Sequence, residues 1–256
     1  MMEKECNGFE RLLTIMNELR EKCPWDKKQT LDSLRHLTME EMYELSDAII
    51  EKDYNELCKE LGDVLLHIVF YARIASEQGH FSMADVLEQL NHKLITRHPH
   101  IYGDVEANDE DAVKRNWEAI KLNEGKKSVL QGVPQGLPAL VKAYRIQEKA
   151  RGVGFEWERR EDVWNKVTEE MNELHQAVEK GDATDQIEDE MGDVFFSLIN
   201  YARFIHVNPE DALERTNRKF IRRFQHIEKR ATENGLHVNQ LSLAQMDEWW
   251  NEAKMI

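Results

Sequence analysis

The chain has 256 residues, enough for two domains of ordinary size. Its 49 acidic and 34 basic residues give a net charge of −15, which argues against nucleic acid or an anionic membrane as the main partner. Its three cysteines form no CxxC pair, which argues against a zinc site or a disulfide framework, and the first ten residues lack the apolar segment of a signal peptide. We therefore expect a cytoplasmic protein.

The first half of the chain shows the periodicity of amphipathic helices. The first predicted helix ends before Pro24, and the second spans 31–50. The third runs from Asp53 to about Gly79, the fourth runs from Ser82 to about Arg97, and the fifth spans 111–123. Asp53 and Ser82 are expected to cap the helices that they open. Pro99 disfavours helical geometry at His98 and so ends the fourth helix.

Glycine and proline interrupt this pattern between 125 and 138, which we interpret as a linker between an N-terminal domain, 1–124, and a C-terminal domain, 139–256. The second domain repeats the series of helices. The first begins near Ala139, the second spans 161–179 and stops at Gly181, and the third carries the acidic motif described below. The fourth opens at Asn208-Pro209, and the last holds Trp249 and Trp250. Strand signals are weak, so the predicted fold is all-α, with two tandem related helical bundles.

The two halves carry the same acidic motifs. Glu40-Glu41-Met42-Tyr43-Glu44 precedes Glu60-Leu61-Gly62-Asp63, and Glu169-Glu170-Met171-Asn172-Glu173 precedes Glu190-Met191-Gly192-Asp193. Residues 60–73 and 190–203 match at seven of fourteen positions without a gap. The chain therefore contains an internal duplication, which makes a chance acidic cluster a poor explanation.

Carboxylates three residues apart stand on one helix face, here at the edge of an apolar stripe. Like charges in that position repel and lose hydration unless a cation compensates them. The candidate ligands are Glu41, Glu44, Glu60 and Asp63 in the first copy, and Glu170, Glu173, Glu190 and Asp193 in the second. Such hard oxygen ligands suit Mg²⁺ or Mn²⁺. A di-iron bundle would instead need Glu-x-x-His on two helices.

Basic and aromatic residues follow each acidic pair. Lys219 and Arg223 lie four apart on one helix face and could meet phosphate oxygens, while Trp250 could stack on a base. Lys93 and Arg97 are their counterparts in the first copy. Metal, cations and an aromatic ring together describe a nucleotide site. No GxxxxGK[ST] loop is present, which excludes a P-loop mechanism.

Several motifs together resemble one family. They are the duplicated acidic motifs, Cys23-Pro24-Trp25-Asp26, Arg97-His98-Pro99-His100, the linker segment 132–138, and Val153-Gly154-Phe155-Glu156-Trp157. This combination is similar to MazG, the family of two-repeat nucleoside triphosphate pyrophosphohydrolases, over nearly the whole chain. The acidic motif alone would indicate only the wider all-α pyrophosphatase superfamily.

The resemblance implies Mg²⁺-dependent hydrolysis of ribo- and deoxyribonucleoside triphosphates to the monophosphate and pyrophosphate by a homodimer. It implies that the acids named above hold the metal, that Lys219 and Arg223 hold the triphosphate, and that Trp250 lies near the nucleotide. Lys93 and Arg97 receive the same role in the first copy. Glu169 or Glu170 is the candidate general base, and Glu173 is expected to be essential for turnover. The second copy is expected to be the active one, although the first keeps all the acids and both cations.

Two alternatives stay open at this point. The bundles could bind a nucleotide or a protein partner without turnover, as a regulatory module. The enzyme could also be a narrow pyrophosphatase for dUTP or dCTP, as in relatives of the superfamily. Metal-dependent product release would distinguish an enzyme from the regulatory module, and a substrate panel would distinguish a broad enzyme from the narrow pyrophosphatase.

Overall fold

A computed structural model describes residues 2–103 and 128–255, with Val105 and Val113 between them. The chain divides into two compact units, Met1–Glu106 and Ala107–Ile256. The described residues form helices and no strand, which confirms the all-α prediction. Apart from Val113, the predicted helix at 111–123 lies outside the described residues, and so does the start of the predicted linker. The domain borders at 124 and 139 stay predictions.

The first unit is a small helical bundle. Its helices are α1 Met2–Lys22, α2 Leu31–Glu51, α3 Tyr54–Glu77, α4 Met83–Arg97 and α5 Pro99–Tyr102, with a 3-10 turn at Asp26–Lys28. Only a short connection joins α2 to α3, so the two pack as an antiparallel hairpin. α1 and α4 pack against α3.

Apolar side chains from three helices form the core of this unit. Met16 of α1, Leu34 of α2 and Phe70 of α3 are each at most 3% exposed and belong to one cluster. Burying a side chain of this kind stabilises the fold by about 1.5–3 kcal/mol. The α2–α3 hairpin is therefore held from one side by α1.

The second unit repeats the hairpin. Its helices are α6 Ala139–Arg151, α7 Arg160–Lys180, α8 Thr184–Phe204, α9 Pro209–Glu233 and α10 Leu243–Glu252, with a 3-10 turn at Val238–Gln240. α7 and α8 form the hairpin, α6 packs against α8 and α9, and α10 packs against α9. Ile227, Ala231 and Leu241 are the buried centre of the α9–α10 contact.

The helix ends follow the predicted capping residues. Asp53 accepts hydrogen bonds from the backbone N–H groups of Asn55 and Glu56, and Asn208 caps α9 in the same way with Pro209 at the first position. Ser82 caps α4. Gly181 ends α7 with a φ of 73°, in the left-handed region that glycine adopts without strain.

Two further findings concern the cysteines and the hydrophobicity of the helices. All three cysteines are unpaired. Among the residues that the structure describes, no helix is both long enough and apolar enough to cross a membrane.

Candidate active site

The α7–α8 hairpin brings three predicted acids of the second copy together. Glu170 comes from α7, and Glu190 and Asp193 come from α8; each offers a carboxylate oxygen within 4.8 Å of the others. We call these three residues the C-terminal cluster. Glu170 is buried, Glu190 is half-buried and Asp193 is exposed. Three carboxylates this close repel one another, so the cluster favours a bound cation.

Glu173, the fourth predicted ligand, stands one turn beyond Glu170 and outside this set of close oxygens. Desolvation and the neighbouring carboxylate of Glu170 raise the pKa of Glu173 above its usual range. Glu173 is therefore close enough to share the field of the cluster.

Lys166 supplies positive charge to the C-terminal cluster. Its Nζ lies 2.7 Å from Glu170 Oε1 and 2.8 Å from Glu169 Oε1. Glu169, a candidate base, is thus held by an ion pair on the exposed side of α7. Sequence reasoning missed Lys166, although its position one turn before the acidic motif was a usable signal.

The α2–α3 hairpin repeats this arrangement in the first unit. Glu41, Glu60 and Asp63 offer oxygens within 4.8 Å of one another, and we call them the N-terminal cluster. Burial raises the pKa of both Glu41 and Glu60. Glu44 stands outside the three, as Glu173 does in the second unit.

The chemistry of both clusters fits a divalent metal. Every ligand is a carboxylate, the hard oxygen donor that Mg²⁺ and Mn²⁺ prefer. Glu60 is 0% exposed, and its Oε2 has no hydrogen-bond partner among the described residues. A buried carboxylate oxygen without a partner is costly, and a metal ion would satisfy it.

The predicted substrate residues of the second copy form a group of their own on α9 and α10. The Arg223 guanidinium lies 5.4 Å from the centre of the Trp250 ring. Trp250 also packs on Phe220, with ring centres 5.1 Å apart. Lys219 is exposed one turn before Arg223. In the first unit, Lys93 and Arg97 occupy the last turns of α4.

A cavity of about 530 Å³ opens beside the C-terminal cluster. Helices α6, α7 and α8, the segment before α6 and the connection between α6 and α7 form its walls, which are mostly apolar and aromatic. Glu170 and Asp193 belong both to its lining and to the cluster, whereas Lys219, Arg223 and Trp250 are outside its lining. Its volume is in the usual range of about 300–1,000 Å³ for small-molecule sites.

The internal duplication shows what the same positions do in the first unit. Phe70 is equivalent to Asn200, and His67 to Ser197. Phe70 is 3% exposed in the core, and a 2.7 Å hydrogen bond joins Nδ1 of buried His67 and Thr38 Oγ1. Core side chains thus fill in the first unit the place where Asn200 and Ser197 line a cavity in the second.

The fold and the two clusters define the class: this is an all-α protein with a duplicated carboxylate site suited to a divalent metal. The family model described as the MazG nucleotide pyrophosphohydrolase domain matches residues 29–102 and again 159–228. The chain belongs to this family. The resemblance seen in the sequence motifs is confirmed, and the two matches contain the two hairpins.

Two relatives that are matched over nearly their full length agree with this assignment. The Thermotoga maritima protein named nucleoside triphosphate pyrophosphohydrolase/pyrophosphatase MazG is 44% identical over 251 residues, which cover 96% of this chain and 95% of the relative. The Escherichia coli K12 nucleoside triphosphate pyrophosphohydrolase is 40% identical over 256 residues, which cover 97% of each chain. An uncharacterized Bacillus subtilis protein, YabN, is 45% identical, and the match covers 96% of this chain but 51% of YabN.

Proposed function

We propose that this protein hydrolyses ribo- and deoxyribonucleoside triphosphates to the nucleoside monophosphate and pyrophosphate, with Mg²⁺ as its metal. The observation that carries the proposal is the C-terminal cluster, in which three carboxylates meet between two helices and two of them, Glu170 and Asp193, line a ligand-sized cavity. Family membership and the names of the full-length relatives support the same reaction.

Each residue then has a chemical role. Glu170, Glu190 and Asp193, joined by Glu173, would hold Mg²⁺, which supplies positive charge against the phosphoryl oxygens. Lys219 and Arg223 bind the triphosphate and stabilise the charge that develops on the leaving pyrophosphate. Glu169 or Glu170 orients the attacking water and accepts its proton. Attack at the α-phosphorus breaks its bond to the bridging oxygen and releases pyrophosphate.

We place turnover in the second copy. Both copies keep a carboxylate cluster, but Asn200 and Ser197 line a cavity, whereas their counterpart Phe70 belongs to the apolar core and His67 is hydrogen-bonded to Thr38. In the first copy, Lys93 and Arg97 are assigned to phosphate and Glu41, Glu44, Glu60 and Asp63 to metal.

We also propose that the active form is a homodimer. α8 exposes Met191, Phe195 and Leu198 along one face, with Phe195 58% exposed. α3 exposes Leu61, Leu65 and Ile68 at the equivalent positions. A repeated apolar stripe of this kind is typical of a surface covered by another chain. A monomer in light scattering at micromolar concentration would contradict this proposal.

The function is tested by incubating the protein with Mg²⁺ and a panel of ribo- and deoxyribonucleoside triphosphates, with products resolved by ion-exchange chromatography. Glu173→Ala and its matched variant Glu44→Ala are measured in parallel. Monophosphate plus pyrophosphate, lost in Glu173→Ala and kept in Glu44→Ala, is the expected result. Diphosphate plus phosphate would contradict the proposed bond cleavage.

Two other outcomes decide between the alternatives. Turnover confined to dUTP or dCTP would identify a narrow pyrophosphatase. Binding without turnover of any substrate would indicate a regulatory module.

A further inference from the structure

We propose that the cavity beside the C-terminal cluster binds the nucleobase, and that Gln147 of α6 is the residue that recognises it. This inference rests on the proposed function and adds a specificity-determining residue to it. It starts from one buried side-chain amide.

Gln147 is 7% exposed and lines the cavity. Its Nε2 donates a 2.8 Å hydrogen bond to the backbone carbonyl of Phe196, which fixes the orientation of the amide. Its Oε1 is buried and has no hydrogen-bond partner among the described residues. Such an oxygen is unfavourable until a donor reaches it, so a ligand that presents an N–H or O–H group there would bind favourably.

Asn200 of α8 contributes the complementary group. Its Oδ1 accepts a 2.7 Å hydrogen bond from Arg203, and Arg203 is held in turn by Glu156 at 2.6 Å. The remaining polar group of the Asn200 amide is Nδ2, which is a donor. Gln147 and Asn200 therefore give the cavity one acceptor and one donor. Nucleobase edges carry the same two kinds of group side by side.

The walls of the cavity suit a flat aromatic ligand. Trp157, Phe155 and Phe196 line it together with aliphatic side chains. Aromatic side chains stack on nucleobases, which is favourable for any base because each base has a π-face. Polar recognition by Gln147 would then distinguish one ring edge from another.

The cavity lies beside the cluster that would hold the metal and the triphosphate. Glu170 and Asp193 belong to both the cavity and the C-terminal cluster. A triphosphate held with its metal at the cluster would therefore place its nucleoside end at the cavity mouth. Trp250, the aromatic residue expected from the sequence to lie near the nucleotide, instead packs on Phe220 and Arg223.

The test compares substrates that differ by one N–H donor. ATP is paired with purine riboside triphosphate, which lacks the 6-amino group, and CTP with 2-pyrimidinone riboside triphosphate, which lacks the 4-amino group. For wild type we expect kcat/KM to be lower for the analogue by about tenfold to a hundredfold in at least one pair. In Gln147→Leu, the amino-bearing substrate should fall to the level of its analogue. Gln89→Leu, an exposed glutamine on α4, should behave as wild type.

The outcomes separate the two proposals. Discrimination that survives in Gln147→Leu, or that disappears in Trp250→Leu instead, would overturn the assignment of the base to this cavity. Wild type without turnover of any triphosphate would overturn the proposed function. The same pairs measured by titration calorimetry would then test base recognition alone.

A second variant fills the cavity with the side chain that the duplication itself provides. Asn200→Phe introduces the residue found at the equivalent position 70. We expect nucleoside triphosphate binding to be lost while Mn²⁺ and inorganic tripolyphosphate still bind. Mn²⁺ binds the carboxylates of the cluster and tripolyphosphate binds Lys219 and Arg223, so neither needs the cavity. Retained turnover in a folded Asn200→Phe protein would contradict the inference, and if this variant unfolds, Gln147→Leu decides.

Discussion

Lys166 Nζ lies 2.7 Å from Glu170 Oε1, on the helix turn that precedes the second acidic motif. Hydrogen bonds to Glu169 and then Glu170 raise the pKa of Lys166 above its ordinary value. The equivalent residue in the first copy is Leu37, which packs against the core. The two copies therefore take their positive charge from different positions, since in the first copy it is Lys59 of α3 that lies 3.3 Å from Glu60 Oε1. Lys166 is the internal counter-charge of the second copy.

We expect Lys166→Met to destabilise the metal-free protein by about 1–2 kcal/mol, because buried Glu170 loses its partner while Lys166 is itself partly exposed. Mg²⁺ should then raise the melting temperature more in this variant than in wild type, since the metal takes over the role of the lysine. Calorimetry over a series of Mg²⁺ concentrations measures both effects. Lys180→Met on the same helix is the control. Equal Mg²⁺-induced shifts in variant and wild type would contradict this role.

Stability of the first unit should depend on pH through Glu77. Arg20 of α1 donates to Glu77 of α3 at 2.5 Å and 3.0 Å, and this hydrogen bonding lowers the pKa of Glu77 from its ordinary value of 4.5. Because the folded-state pKa is lowered, the stabilisation is present above pH 4.5 and is lost as the pH falls through the folded-state value. Glu77→Gln should cost about 1–2 kcal/mol at pH 7 and progressively less in acid. A difference that stays constant in urea unfolding from pH 7 to pH 3 would contradict the prediction.

Exchanging lysine and glycine at the ends of α2 and α7 should have opposite effects on stability. Lys52 and Gly181 occupy equivalent positions with φ of 58° and 73°, a region that is strained for lysine and not for glycine. We expect Lys52→Gly to stabilise the protein by about 1 kcal/mol and Gly181→Lys to destabilise it by a similar amount. Gly8→Ala within α1, where a Cβ meets nothing within 4 Å, is a helix-propensity control that should stabilise slightly. Thermal unfolding of the three variants checks the signs.

Truncation of Phe70 and of its counterpart Asn200 should have very different costs. Phe70 is 3% exposed in a packed core, so Phe70→Ala is expected to cost about 3–5 kcal/mol. Asn200 borders a cavity, so Asn200→Ala removes little packing and should cost about 1 kcal/mol through the lost contact with Arg203. Chemical denaturation of the full chain measures both. Equal costs would show that the two sites are packed alike.

Helix positions and ends were largely predictable because their determinants are local. Asp53, Asn208 and Gly181 act on backbone groups within a few residues, and the structure places each at the helix end expected from the sequence. The acidic residues of the two clusters were also predictable, since the duplication marks their positions twice. The roles of Glu173, Lys219, Arg223 and Trp250 in catalysis stay predictions.

The all-α fold, the duplication, the family and the acidic residues could be predicted without coordinates, because helical periodicity, capping and repeated motifs are local features of the chain. The packing of the helices was needed to show which acids share a cluster, that Lys166 reaches Glu170, and that Gln147 and Asn200 border one cavity. Gln147 and Asn200 stand on different helices, and a buried amide oxygen without a partner becomes visible only when the helices around it are packed. The equivalent residues Phe70 and Asn200 differ in their surroundings, because Phe70 lies in a packed core and Asn200 lines a cavity.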